Sequence, residues 1–383
     1  MPLPVIAMTD HLPEDAATQQ LMPVAVPPIP PRRGCRLASL LLGLAVALAL
    51  AVPAPAAASE ARGLGDMAAP GSLAVETIEF PDLADSTRAG RRVPIKVHVP
   101  TLGGPYPVVV LSHGAGGHWD ANFAQARHLA SHGYAVLALE HVGSNTAVLK
   151  RSLRWMANLE AMTRDADEVL GRPKDVSFAI DRAEQWNRAH ERLRGRLDPT
   201  RVGVLGHSFG AYTTLVVAGM RPALDWLVPT VPPGRGLGPD LRDRRVACGV
   251  ALSPQGPGEP FFTEASYASL AVPLLGVSGS RDEQQKATPE NRRRAFALWP
   301  AGDKHLIWLA NADHTAFSDS TGSSHGMLPS RSRSDVQPVV RAATLAFFDA
   351  CLKGDAHARS QLTSDALRPY LRGRVDAIEV MSK

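Results

Sequence analysis

The 383-residue chain is short of aromatic residues, of cysteine and of clustered charge, and each shortage excludes something. Phe, Trp and Tyr make up only 5% of it, so a core has to be built from Val, Leu and Ala. Three cysteines are present, and none falls in a Cys/His spacing that would hold zinc. Cys35 precedes an apolar run instead of following it, which argues against a lipidated N-terminus. Cys248 ("VACGVAL") and Cys351 ("LAFFDACL") lie in apolar surroundings and read as two inert buried thiols, although an oxidising compartment would permit a bridge. The formal charge is +4, and part of that excess is Arg32, Arg33 and Arg36 near the N-terminus. No run of basic residues interleaved with aromatics remains, so nucleic acid is not an expected partner. No internal repeat is visible.

One long hydrophobic run exists, Leu37 to Val52. It follows the basic stretch "PPRRGCR", is short for a membrane span, and ends in "PAPAAAS". That is the pattern of an export signal cleaved after Ala58 or Ser59. Arg32-Arg33 lacks the flanks usual for twin-arginine export, so the route stays open. Residues 1–59 are therefore expected to be a disordered Pro-rich start and a cleaved leader, and 60–71 a linker. Residues 72–383 are expected to form a single catalytic domain, periplasmic or secreted, without a stable membrane anchor.

Within that domain, short apolar runs read as strands: "LAVETIEF", "RVPIKVHV", "PVVVLS", "AVLALEH", "RVGVLG", "VACGVALS", "PLLGVSG" and "HLIWLA". Helical patterns alternate with the later ones. In "RPKDVSFAIDRAEQW", Pro173 is expected near the first turn, with Val176, Ala179, Ile180 and Ala183 on one face. The order predicts an α/β fold with a mostly parallel central sheet, flanked by helices, and antiparallel strands at its start.

The pattern G-x-S-x-G occurs twice, at Ser208 ("GVLGHSFGAY") and at Ser324 ("GSSHG"). Before Gly206 stands a valine-rich strand, and after Gly210 stands a helical segment. A strand, a sharp turn and a helix are what a nucleophile elbow needs, so Ser208 is the candidate nucleophile. Ser324 lies between "SDST" and "MLPSRSRS", which is loop chemistry. Acyl transfer also needs a base, an orienting acid and donors for an oxyanion. The strand "PVVVLS" runs into His113-Gly114-Ala115-Gly116-Gly117, which assigns the oxyanion hole to the amides of Ala115 and Phe209, with His113 structural. Asp282 follows the strand "PLLGVSG" and is the candidate acid. Glu283 is its nearest rival, and Asp313 a poorer one. His314 follows the last expected strand and is the candidate base; His305 sits at the wrong end of that strand, and His325 lies in the "GSSHG" loop.

These residues carry a resemblance. "RRVPIKVHVP", "VVVLSHGAGG", "RPKDVSFAIDR", "RVGVLGHSFGAYT", "SGSRDE" and "NADHTAF" together resemble the α/β-hydrolases of the dienelactone hydrolase-like group, close to the platelet-activating-factor acetylhydrolase type. True dienelactone hydrolases use a cysteine where this chain has Ser208, and Ala211 stands where relatives often have glycine. The resemblance implies a serine carboxylic-ester hydrolase acting on small esters of short to medium acyl chains, with no cofactor. A polyester hydrolase with the same residues, or an inactive exported binding protein, are the alternatives. Oligomeric state is not readable.

The connection from His141 to Arg201 is longer than one crossover helix requires. Leu149, Leu153, Met156, Leu159 and Met162 recur at helical spacing, which predicts a helical insertion over about 145–171. At the carboxyl edge of the sheet it would roof an acyl pocket, with Trp155 or Met156 facing the substrate.

Overall fold

The computed structural model describes residues 66–284, 286–319 and 330–383. The expected leader, Ser324 and His325 lie outside these residues. Of the expected linker, 66–71 are described, and Met67 and Ala68 are buried in the core.

Nine strands form one sheet: β1 Val75–Phe80, β2 Ile95–Pro100, β3 Tyr106–Ser112, β4 Ala135–Leu139, β5 Leu197–His207, β6 Val246–Leu252, β7 Leu274–Arg281, β8 Lys304–Asp313 and β9 Ile378–Ser382. Their spatial order is β1-β2-β4-β3-β5-β6-β7-β8-β9. The pairs β1/β2, β2/β4 and β8/β9 are antiparallel, and the rest are parallel. The sheet is thus mostly parallel with antiparallel strands at its start, and it carries a further antiparallel strand, β9, at its other edge.

The central strands are apolar throughout because both faces are covered. Val109 and Leu111 of β3 pack with α1 (Phe123–Ser131) and α7 (Arg333–Leu352) on one face. Val108 and Val110 pack with Val176, Ala179, Ile180 and Ala183 on the other. From β3 the chain passes to β4 on one side, then returns to β5 on the other. The carboxyl ends of β3 and β5 therefore flank a topological switch point, where open α/β sheets bind ligands.

The long connection departs from expectation in two ways. Its first part is two helices, α2 (Thr146–Leu149) and α3 (Trp155–Arg164). The predicted apolar stripe is broken between them: Leu149, Leu159 and Met162 are buried, while Leu153 stands fully exposed in the intervening turn. The next helix, α4 (Ala166–Ala189), begins earlier than Pro173 suggests, because Asp165 caps it by accepting from the Glu168 amide. Pro173 is consequently interior. Proline has no N–H, so the carbonyl of Val169 loses its helical partner. The hydroxyl of Tyr212, on α5 (Phe209–Val217), donates to that carbonyl at 2.9 Å instead.

Cys248 and Cys351 are joined as a disulfide between β6 and α7, which corrects the reading of two free thiols. Both side chains are apolar-packed, as expected, but the fold brings their Cα atoms to 6.7 Å, within bridging range.

Candidate active site

Ser208 follows β5 at φ 56°, ψ −117°, a left-handed backbone that a non-glycine residue adopts only under constraint. The constraint is local crowding. A Cβ on Gly210 would lie 1.9 Å from the carbonyl oxygen of Ser112, and one on Gly206 would meet Gly210. Only glycine at both positions lets the strand turn this sharply into α5. The Phe209 amide opens that helix, where no helical acceptor exists for it. Ala115 lies across the cavity in the loop after β3. That loop is pinned by Gly116 N–H donating to the Ser144 carbonyl at 2.9 Å and Gly117 N–H to that of Gly114 at 3.1 Å. Neither the Ala115 nor the Phe209 amide has a protein acceptor among the described residues.

Three strand ends bring Ser208, Asp282 and His314 together. His314 Nε2 lies 2.9 Å from Ser208 Oγ, and His314 Nδ1 lies 2.7 Å from Asp282 Oδ1. Asp282 is fully buried and surrounded by donors. Ser253 Oγ donates to Oδ1 at 2.8 Å, Ser278 Oγ to Oδ2 at 2.8 Å, and Arg292 Nε approaches Oδ1 at 3.1 Å. Burial, the largest influence, pushes the Asp282 carboxyl up, but Arg292, His314 and Ser253 outweigh it and hold it well below the usual carboxylate range. The imidazole of His314 therefore faces a permanent anion. Its backbone is steadied by His207, whose Nε2–H donates to the His314 carbonyl at 2.9 Å. Burial lowers His207 to about 3, so that ring stays neutral.

The rivals lie elsewhere. Glu283 is exposed, and Asp313 accepts from Thr315, Ser330 and Ser332. His305 bonds Ser382 and Asp303. His113 is buried in its loop, with Nδ1–H donating to the Gly114 carbonyl at 2.6 Å and Nε2 accepting from the His141 amide at 3.0 Å.

Ser208 and His314 open onto a cavity of about 630 Å³. Leu149, Met156, Leu159, Phe209 and Phe261 give it apolar walls, and Arg164, Glu259 and Lys286 line its rim. Met156 faces it, whereas Trp155 packs beside Leu149 and Leu159. Glu259 pairs with both Arg164 of α3 and Lys286, which ties the insertion to the opposite wall. Among the described residues no three His, Cys, Asp or Glu gather as metal ligands.

Sequence reasoning missed Ser253, Ser278, Arg292 and Arg172. Ser253, directly after β6 at φ 62°, carried the best signal: a polar residue at a strand end on the same sheet edge.

The doubly flanked sheet, the turn at Ser208 and the convergence of three strand ends define a class. The match to the alpha/beta hydrolase family runs over residues 109–379, and the chain belongs to that family. Among proteins similar to it is the platelet-activating factor acetylhydrolase of Cavia porcellus, 24% identical over 258 residues, covering 60% of this chain and 52% of the relative. The acetylhydrolase of Canis lupus familiaris is 24% identical over 252 residues, 57% of this chain and 49% of the relative. Cutinase est1 of Thermobifida alba is 27% identical over 220 residues, 57% of each chain. The chain spans about half the length of the curated relatives it matches. No helix among the described residues is long and apolar enough to cross a membrane.

Proposed function

We propose that this protein hydrolyses carboxylic esters through Ser208, with His314 as general base and Asp282 as its orienting anion. The observation that carries the reading is the unbroken chain Ser208 Oγ, His314 Nε2, His314 Nδ1, Asp282 Oδ1 at 2.9 and 2.7 Å, opening onto an apolar cavity. As Ser208 Oγ attacks the acyl carbon, its proton passes to His314 Nε2. Asp282 stabilises the imidazolium, and the Ala115 and Phe209 amides receive the oxyanion. The proton then goes to the departing alkoxide. Water, deprotonated by His314, releases the acid from the acyl-enzyme. No cofactor takes part.

The size and roof of the cavity support esters of short to medium acyl chains. The cutinase relatives favour a second reading, a polyester hydrolase. The insertion over the cavity weighs against a solid polymer, and the intact chemistry weighs against an inactive binding protein. The same proposal includes export: a leader over 1–59 with the catalytic domain beyond it. The Cys248–Cys351 bond fits an oxidising compartment.

The test is a fluorophosphonate probe combined with p-nitrophenyl esters of rising chain length and polyester film. Ser208→Ala is expected to abolish labelling and hydrolysis, with butyrate cleaved readily and film poorly. Labelling that survives Ser208→Ala refutes the nucleophile; rapid film hydrolysis refutes the roofed pocket.

A further inference from the structure

Arg172 is a wholly buried cation that the mechanism above does not use. Its neighbours on α4, Glu168 and Asp175, do not pair with it. Asp175 is held by Arg88 at 2.7 Å, Arg91 at 2.8 Å and His141 at 2.8 Å. Glu168 is held by Arg91 at 2.9 Å and by the Ser144 hydroxyl at 2.6 Å. Arg172 makes no ion pair among the described residues, and its Nε and Nη1 have no hydrogen-bond partner. Burying a cation without an ionic partner is unfavourable, so its location calls for an explanation.

Its contacts supply one. Nη2 donates to the carbonyl of His113 and lies 3.3 Å from Ser112 Oγ, at the root of the loop that presents Ala115. The guanidinium carbon stands 4.1 Å from the centroid of the Phe209 ring. One side chain thus touches both the loop two residues before Ala115 and Phe209 itself, two cavity-lining residues whose amides have no protein acceptor among the described residues. Burial lowers Arg172 to about 9, which leaves it charged at neutral pH.

We propose that Arg172 is a positioning residue that fixes the spacing of the Ala115 and Phe209 amides and biases the space between them toward negative charge. This rests on the ester-hydrolase reading. Glu168 and Asp175 favour the cation from a distance, but neither touches it; the groups in contact with the Arg172 charge are the His113 carbonyl, Ser112 Oγ and the Phe209 ring. That charge is preorganised and shielded from water, the condition under which electrostatic stabilisation of an oxyanion is strongest. The predicted signature is a loss in kcat with little change in KM, because the ground-state ester carries no charge to feel it.

The experiment compares Arg172→Met, Arg172→Lys and Ser208→Ala in the full chain. Rates are measured on p-nitrophenyl butyrate, and an alkyl trifluoromethyl ketone, which places an oxyanion on the serine adduct, serves as inhibitor. Arg172→Met is expected to lower kcat about tenfold to hundredfold, somewhat less than deleting an oxyanion donor outright, with KM within about twofold. Ketone affinity should fall in proportion to kcat/KM, and the acid limb of the pH–rate profile should stay in place. Arg172→Lys, which restores charge without the planar fork, should recover part of kcat. If Arg172→Met does not fold, Arg172→Gln, which keeps a donor toward the His113 carbonyl and removes the charge, takes its place; it should lower kcat by about tenfold with KM within about twofold. Wild-type kcat in a folded Arg172→Met or Arg172→Gln, a loss confined to KM, or unchanged ketone affinity overturns the proposal. Activity that persists in Ser208→Ala overturns instead the reading beneath it.

Discussion

Acidification from pH 7 to pH 5 should destabilise this protein, and the reason is a set of histidines the fold keeps neutral. His98 is lowered to about 4, and His128 and His207 to about 3, in each case chiefly by burial. Burial likewise takes His113 and His141 well below the ordinary value, helped at His141 by Arg172, Arg91 and Arg88. An unfolded histidine titrates at about 6.5. Below that pH the unfolded chain takes up protons that the folded chain refuses, so stability is full above pH 7 and is lost as pH falls. Between pH 7 and 5 His98, His128 and His207 each give up about 2 kcal/mol, or about 6 kcal/mol together, and His113 and His141 act in the same direction. Asp319 works in the opposite sense: burial pushes its carboxyl up to about 6, and its protonation in the fold returns about 1 kcal/mol. The net loss, about 5 kcal/mol, is as large as the whole stability of a marginal domain. Thermal melts at pH 7, 6 and 5, followed by near-ultraviolet circular dichroism, should show the midpoint falling by on the order of 10 °C. His128→Gln, where it folds, should shrink that fall by about a third. A midpoint constant within about 3 °C over this range would refute the reasoning.

Two further outcomes follow from buried partners. Arg292→Met should cost about 3–5 kcal/mol at neutral pH, because Asp282 loses the guanidinium 3.1 Å from its Oδ1. Denaturant midpoints should show that deficit narrowing as pH falls toward the ordinary carboxylate range, where the variant's Asp282 takes up a proton; a deficit independent of pH contradicts it. Tyr212→Phe should cost about 1–3 kcal/mol by stranding the Val169 carbonyl, and the same change made in Pro173→Ala, which restores the helical N–H, should cost clearly less. Equal costs in the two backgrounds would show that the hydroxyl does not substitute for the missing amide.

Most of the sheet was readable because its strands are buried on both faces and spell near-continuous Val, Leu and Ala. β9 was not. Only Ile378 of that edge strand is buried, and its alternating pattern is too short to stand out. The start of α4 was misplaced because proline normally marks a first turn, and the group that permits it inside the helix, the Tyr212 hydroxyl, lies far along the chain. The candidate site divides in the same way. Ser208, Asp282 and His314 each follow a strand, which is a local pattern, and sheet order brings those ends together. What surrounds them is not local. "NRRRAF" offers Arg292, Arg293 and Arg294, and only the register of α6 (Pro289–Leu298) turns Arg292 inward toward Asp282 while Arg293 reaches Glu379 and Arg294 reaches Glu264. The pairing of Cys248 with Cys351 needed the distance between a strand and a helix, which no spacing in the sequence encodes.

That bond also sorts the chain topologically. The covalent loop it closes, residues 248–351, contains Ser253, Asp282, Arg292 and His314, while Ser208 and the Ala115 loop lie outside it on the N-terminal side. A protease that cuts one peptide bond within the loop produces two polypeptides still linked at β6 and α7. A nicked molecule therefore migrates as one species without reductant and as two with it, and the fragment bearing His314 cannot diffuse from the fragment bearing Ser208. In the exported location proposed above, such a clasp would let the protein outlast damage to its own backbone.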